Sequence, residues 1–78
     1  MDKNSPDQDI LEALAAAAHN GWMEGKRADG ITSRQSEWLE ELMVPYAALS
    51  ERAKEIDRSA VRSVLEAIAW AGYRLVPA

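Results

Sequence analysis

With 78 residues, the chain can build one hydrophobic core and not two, because so small a domain buries only about 60% of the surface its unfolded chain exposes. Apolar residues make up 47% and charged residues 28%, so burial can offset chain entropy and a disordered tail is excluded. The formal net charge of −4 opposes a nucleic-acid polymer as partner, and the lack of cysteine together with a single histidine leaves no disulfide framework and no metal cage.

No run approaches the roughly 18 apolar residues of a membrane span, and Met1-Asp2-Lys3-Asn4-Ser5-Pro6 lacks the apolar stretch of a secretory signal. The expectation is a cytoplasmic protein with no membrane partner. Residues 1–5 read as a flexible N-terminus, and residues 6–76 as a single domain.

Ser5-Pro6-Asp7-Gln8 has the form of a capping box with proline at the first helical position, which predicts a helix from about residue 6 to 27. Ile10, Leu11, Leu14, Ala15, Ala18 and Trp22 recur at three- and four-residue spacing, and they form its predicted inward stripe. Ala28-Asp29-Gly30 is the predicted stop, since glycine can take the left-handed conformation that closes a helix. Thr32-Ser33-Arg34-Gln35 offers a second capping box, and Gln35, Trp38, Leu39 and Leu42 then share a face, predicting a short helix to about Leu42.

Pro45 ends that segment by pushing Val44 towards extended geometry. Ser50 can cap a brief helix through Ile56, and Asp57 can cap a last helix over about residues 58–72, closed by Gly72. There, Val61, Val64, Leu65 and Ile68 form the inward stripe and Trp70 lies off it. The fold class expected is therefore mainly α: a small helical bundle of two long helices with one or two short helices between them and little or no sheet.

Catalytic templates are missing from the chain: there is no Gly-x-Ser-x-Gly elbow, no phosphate loop, no His-Glu-x-x-His and no Gly-x-Gly-x-x-Gly. His19 as a general base oriented by Glu24 or Asp29 is the one enzyme reading the residues offer, and a structural histidine on a helix is the simpler one. Glu37, Glu40 and Glu41 read as a solvated acidic face. Lys26, Arg27 and Arg34 near the first helix end, with Arg58 and Arg62 near the start of the last, suggest either a cluster facing an anionic ligand or ordinary surface charges. Of the three tryptophans, Trp22 and Trp38 are expected to cover the core, and Trp70 is the candidate protein contact.

The ordered set His19-Asn20-Gly21-Trp22, Lys26, Gly30, Val44-Pro45-Tyr46, Leu49, Asp57-Arg58, Leu65-Glu66-Ala67-Ile68 and Gly72-Tyr73-Arg74 resembles the RyR domain, the module repeated in the cytosolic shell of ryanodine receptor channels. The resemblance covers about residues 11–76 and is that of a short, solitary bacterial or phage member. It implies a compact helical fold, no catalytic activity, no cofactor, and a pocket able to take a nucleotide-like ligand between aromatic residues. Carried over by position, His19, Trp22, Lys26, Tyr46 and Arg58 are the candidate ligand-binding residues, with Trp22 or Tyr46 as stacking surface and Lys26 or Arg58 as phosphate contacts.

The chain departs from the family pattern in two places. Gly30-Ile31 stands where many members have Gly-Trp, and Glu40-Glu41-Leu42 stands where a His-Pro commonly precedes the Val-Pro-Tyr segment. Two functions are therefore expected as alternatives. One is a non-catalytic binding module for a small nucleotide-like molecule; the other is a structural or interaction domain that meets itself or another protein through Trp70 and the tail 73–76, with no small-molecule site.

Overall fold

The computed structural model describes residues 6–78, with side chains from Asp9 onward. Two helices carry the fold: α1, Pro6–Ala28, and α2, Glu51–Trp70. Between them runs an irregular segment ending in one tight helical turn, Tyr46–Ala48. No strand forms among the described residues, and Gln35 and Glu41 make one isolated antiparallel bridge.

Both helices end in the same way. After α1, the amides of Gly30 and Ile31 donate to the carbonyls of Arg27 and Lys26; after α2, those of Gly72 and Tyr73 donate to Ala69 and Ile68. This is the Schellman pattern, and it requires a left-handed residue that glycine supplies without a Cβ clash, with φ of 79° at Gly30 and 94° at Gly72. The stops expected at these two glycines are therefore present. The starts expected from Ser5 and the loose residues 1–5 lie outside the described residues.

The middle differs from expectation in two ways. No helix forms over 33–42, because side chains there take the backbone donors that a helix would use. Ser36 Oγ accepts from the amides of Trp38 (3.2 Å) and Glu40 (3.0 Å), and a Glu41 carboxylate oxygen accepts from those of Arg34 (2.9 Å) and Met43 (2.9 Å). Leu39 is left in the left-handed region at φ 66°.

Nor does Asp57 begin a helix. Ser50 caps α2, its hydroxyl accepting from the Ala53 amide at 3.1 Å, and the helix then runs unbroken through Asp57 to Trp70 with no glycine or proline to stop it. The last long helix thus spans 51–70 in place of 58–72.

The helices run antiparallel, with His19 beside Asp57 near one end and Ile10 sharing a groove with Leu65 and Ile68 near the other. Leu11, Ala15, Tyr46, Leu49, Ala53 and Val61 form the buried core, with Trp38, Leu42, Val44 and Leu65 packed against it. On α1 the buried line is Leu11, Ala15, His19 and Met23. Ile10, Leu14 and Ala18 sit along its exposed edge and Trp22 is half-buried, so the stripe is turned from the one the apolar spacing predicts. The turn has a cause: Tyr46 and Leu49 of the connecting segment pack with Leu11 and Ala15, and Val44 is bonded to His19, so that cover sets the inward flank of α1.

Candidate functional site

His19 organises the covered end of the molecule. Its side chain is only 4% exposed, and Nε2 lies 2.7 Å from the carbonyl oxygen of Val44. A carbonyl can only accept, so Nε2 carries the proton and donates. This bond ties α1 to the chain just before Pro45. On the other side of the ring, Nδ1 lies 3.6 Å from Asp57 Oδ2, beyond hydrogen-bond length.

Two aromatic rings flank the imidazole. Trp22, one turn along α1, stacks on it with centroids 5.6 Å apart and planes 28° from parallel, and Tyr46 approaches from the tight turn at 6.4 Å with its ring tilted by 56°. Trp22 and His19 then form one wall of a cleft of about 310 Å³, completed by Leu42 and Leu49 from the connecting segment and by Ala53, Ile56 and Asp57 of α2. Its lining is mainly apolar, with the His19 and Asp57 side chains and the indole N–H of Trp22 as its polar groups. Burial against this lining pushes the Asp57 carboxyl above its usual range, and His19 partly offsets that.

The other predicted site residues are placed unequally. Lys26 stands outside the lining, with Nζ 5.9 Å from the centre of the Trp22 ring, and it makes no ion pair among the described residues. Tyr46 and Arg58 form a different cluster on the far side of His19. Arg58 grips Glu12 with two parallel donors, Nε to Oε2 at 2.5 Å and Nη2 to Oε1 at 3.1 Å, and Nη1 donates to Glu51 at 3.0 Å. The Tyr46 hydroxyl donates to the same Glu12 at 3.0 Å.

The Arg58 guanidinium therefore holds the Glu12 carboxyl below the usual carboxylate range, while burial and the Glu12 carboxylate push the Tyr46 phenol up. Arg62 is likewise taken up by Glu55, at 2.5 Å. Arg58 ties α2 to α1 and Arg62 pairs within α2; neither lines the cleft. Trp70 is remote from all of this, 89% exposed near the end of α2.

Two acidic residues have work that their sequence does not announce. Glu40 accepts from Trp38 Nε1 at 2.6 Å and from both the amide and the hydroxyl of Ser50, at 2.8 and 2.6 Å; Glu41 holds Ser33 as well as the amides of Arg34 and Met43. Bonds to Ser50 lower the Glu40 pKa and bonds to Ser33 lower that of Glu41. In place of a solvated acidic face they are staples of the connecting segment, and Trp38, with Arg52 3.9 Å above its ring, is fixed over the core by them.

Asp57, Leu42, Leu49, Ala53 and Ile56 of the cleft were not among the residues the sequence points to as binding. For Asp57 there was a signal: it falls between Ala53 and Val61 at four-residue steps, on the buried line of α2, where a carboxylate is uncommon without a reason. Among the described residues no group of three or more His, Asp or Glu is gathered closely enough to hold a metal ion.

What the geometry defines is a two-helix module with one aromatic-walled cleft at its covered end. The sequence model of the RyR domain matches residues 4–77, nearly the entire chain, and the protein belongs to the RyR domain family. No solved structure matches the chain. No helix among the described residues is long and apolar enough to cross a membrane.

Proposed function

We propose that this protein is a non-catalytic binding module whose cleft takes the flat ring of a small nucleotide-like ligand. The observation that carries the reading is the ledge made by Trp22 on His19, fixed by the Val44 hydrogen bond and facing the aliphatic wall of Leu49, Ala53 and Ile56 across about 310 Å³. A mostly apolar concavity of that size with a few polar groups in its lining suits a small planar molecule. Lys26, without an acidic partner among the described residues, is the cation nearest the ledge and takes the ligand's anionic group. Arg58 and Tyr46 act indirectly, by holding α1 and α2 in register around His19.

The reading is tested by thermal melting against a panel of nucleosides and nucleotides. A ligand at a hundredfold excess over its Kd stabilises the folded state by about 2.7 kcal/mol, which a domain of this size reports as a rise of several degrees in Tm. The rise disappears in Trp22→Ala, whose helical circular dichroism is retained. No shift with any member of the panel overturns the proposal.

A second reading, an interaction domain without a small-molecule site, is favoured by one feature: Leu14, Val64, Trp70, Tyr73, Leu75 and Val76 are all exposed around the opposite end of the helix pair. Under it, sedimentation shows association that rises with concentration and is lost in Trp70→Ala, and the nucleotide panel leaves Tm unchanged.

A further inference from the structure

The helix pair has a flank that the connecting segment does not reach. Leu14 and Ala18 of α1, Ala60, Val64 and Ile68 of α2 and Leu75 of the tail line a groove there of about 340 Å³, and every residue of its lining is aliphatic. The helices beside it are bare of charge as well. Between Glu12 and Glu24 the exposed positions of α1 are alanine, leucine, asparagine and glycine, although the side of a helix that meets water ordinarily carries charged residues. On α2 the charged side chains Glu55, Arg58 and Arg62 pair along a different flank, which leaves Ala60, Val64 and Ala67 as an uncharged row.

The exposed area fits a face that is covered in use. The chain exposes 5948 Å², whereas a compact monomer of 8.6 kDa exposes about 4,700 Å². The surplus, roughly 1,200 Å², exceeds the area of about 800 Å² that each partner gives to a stable interface. Among the described residues no large side chain is completely buried, so packing is unfinished in the single chain.

We infer that the groove is covered by a second copy of this chain, the two helix pairs associating about a two-fold axis into a four-helix bundle. A different protein is selected by charge or by polar groups set against its own, and this groove offers neither. Interfaces between like subunits are the more apolar ones, resembling a core cut in half. A two-fold axis sets the same patch on both copies and closes after two. Much of the face is alanine, which buries little area, so the dimer is weak; at the low micromolar concentration of a melting experiment the chain is single and Val64→Ala is nearly neutral. The groove shares no lining residue with the cleft, so the inference is independent of any nucleotide bound there. Nor does it involve Trp70, which lies outside the groove.

Sedimentation equilibrium of the full chain from about 5 µM to about 1 mM tests it. The average mass rises from 8.6 kDa towards twice that value and no further. Val64→Glu, at a position 59% exposed in the single chain, sets an unpartnered carboxylate in the interface and raises the dimer dissociation constant at least about tenfold. Ala60→Glu, at a second exposed position, does the same. Helical circular dichroism at low micromolar concentration shows that a variant is folded, and one folded variant is enough to decide. Trp70→Ala associates as the wild type does.

A mass that stays at that of one chain across the range overturns the inference, and so does a mass that grows past the dimer. Dimerisation of a folded Val64→Glu or Ala60→Glu chain with wild-type affinity also overturns it. Loss of association in Trp70→Ala moves the contact to the end of α2 and overturns the groove as its site. None of these results bears on the cleft, which the nucleotide panel tests separately.

Discussion

The two ends of the helix pair are built on opposite terms. From the end where α1 finishes and α2 begins, back along the flank as far as Glu12, the connecting segment folds over the helices and polar contacts tie them: His19 to Val44, Tyr46 to Glu12, Arg58 to Glu12 and Glu51, Glu40 to Ser50. At the other end only the tail beyond Gly72 reaches the helices among the described residues, and Ile10, Leu14, Val64, Trp70 and Tyr73 are exposed there. The difference teaches where a two-helix protein finds uniqueness. Two amphipathic rods alone supply area but little selectivity of rotation, since apolar stripes of similar width can slide or turn past each other. The polar ties of the covered end select one register, and the cleft sits where that selection is made.

If stability is concentrated at the covered end, Leu49→Ala has the largest effect of the substitutions that test this contrast. Leu49 is buried where the tight turn meets the core and also walls the cleft, and its loss costs about 2–4 kcal/mol, read as a lower urea midpoint with unchanged slope. For a chain with so small a core that is a large share of the total.

Next comes Glu12→Gln, which leaves the Arg58 fork and the Tyr46 hydroxyl without their carboxylate and costs about 1–2 kcal/mol at neutral pH. Its sharper signature is in pH. Glu12 has a folded-state pKa lowered below its model-compound value of 4.5, so the stability it contributes is present above that value and is lost as pH falls through the lower folded-state value. The wild type therefore loses stability through that acid window, and Glu12→Gln flattens that part of the stability profile.

Ser50→Ala removes the α2 cap and one of the bonds to Glu40, at a cost of about 1 kcal/mol; a Tm drop of a few degrees checks it. Smallest is Val64→Ala at the open end, expected within about 0.5 kcal/mol of the wild type because the side chain is already 59% exposed. A cost at Val64 comparable to that at Leu49 breaks the contrast between the two ends, and it shows that something covers the open end in solution.

Much of this architecture is legible in the chain, for identifiable reasons. Helix ends depend on local chemistry, so Gly30, Gly72 and Ser50 mark true boundaries: the left-handed closure and the side-chain cap each involve only a few neighbouring residues. His19, Trp22 and Tyr46 of the family motif lie together as an aromatic group. What escapes is whatever depends on partners distant in sequence. Ser33-Arg34-Gln35 looks like a helix start, yet Ser36 and Glu41 side chains capture the amides; Asp57 looks like a cap, yet it faces His19 from the middle of a helix; Arg58 looks like a phosphate contact, yet Glu12, 46 residues away, already holds it.

Composition, periodicity and local stop signals by themselves determined that this protein is a small α-helical domain and where its two helices stop; the grouping of Trp22 and Tyr46 with the single histidine came from the resemblance to the family. The tertiary structure alone decided which flank of α1 turns inward, that one unbroken α2 replaces two abutting helices, and that Asp57 comes to lie beside His19 while Arg58 is committed to Glu12. Local signals act over one helical turn and are written in adjacent residues, whereas the rotation of a helix and the partner of a charge are set by which distant segment comes to lie against it.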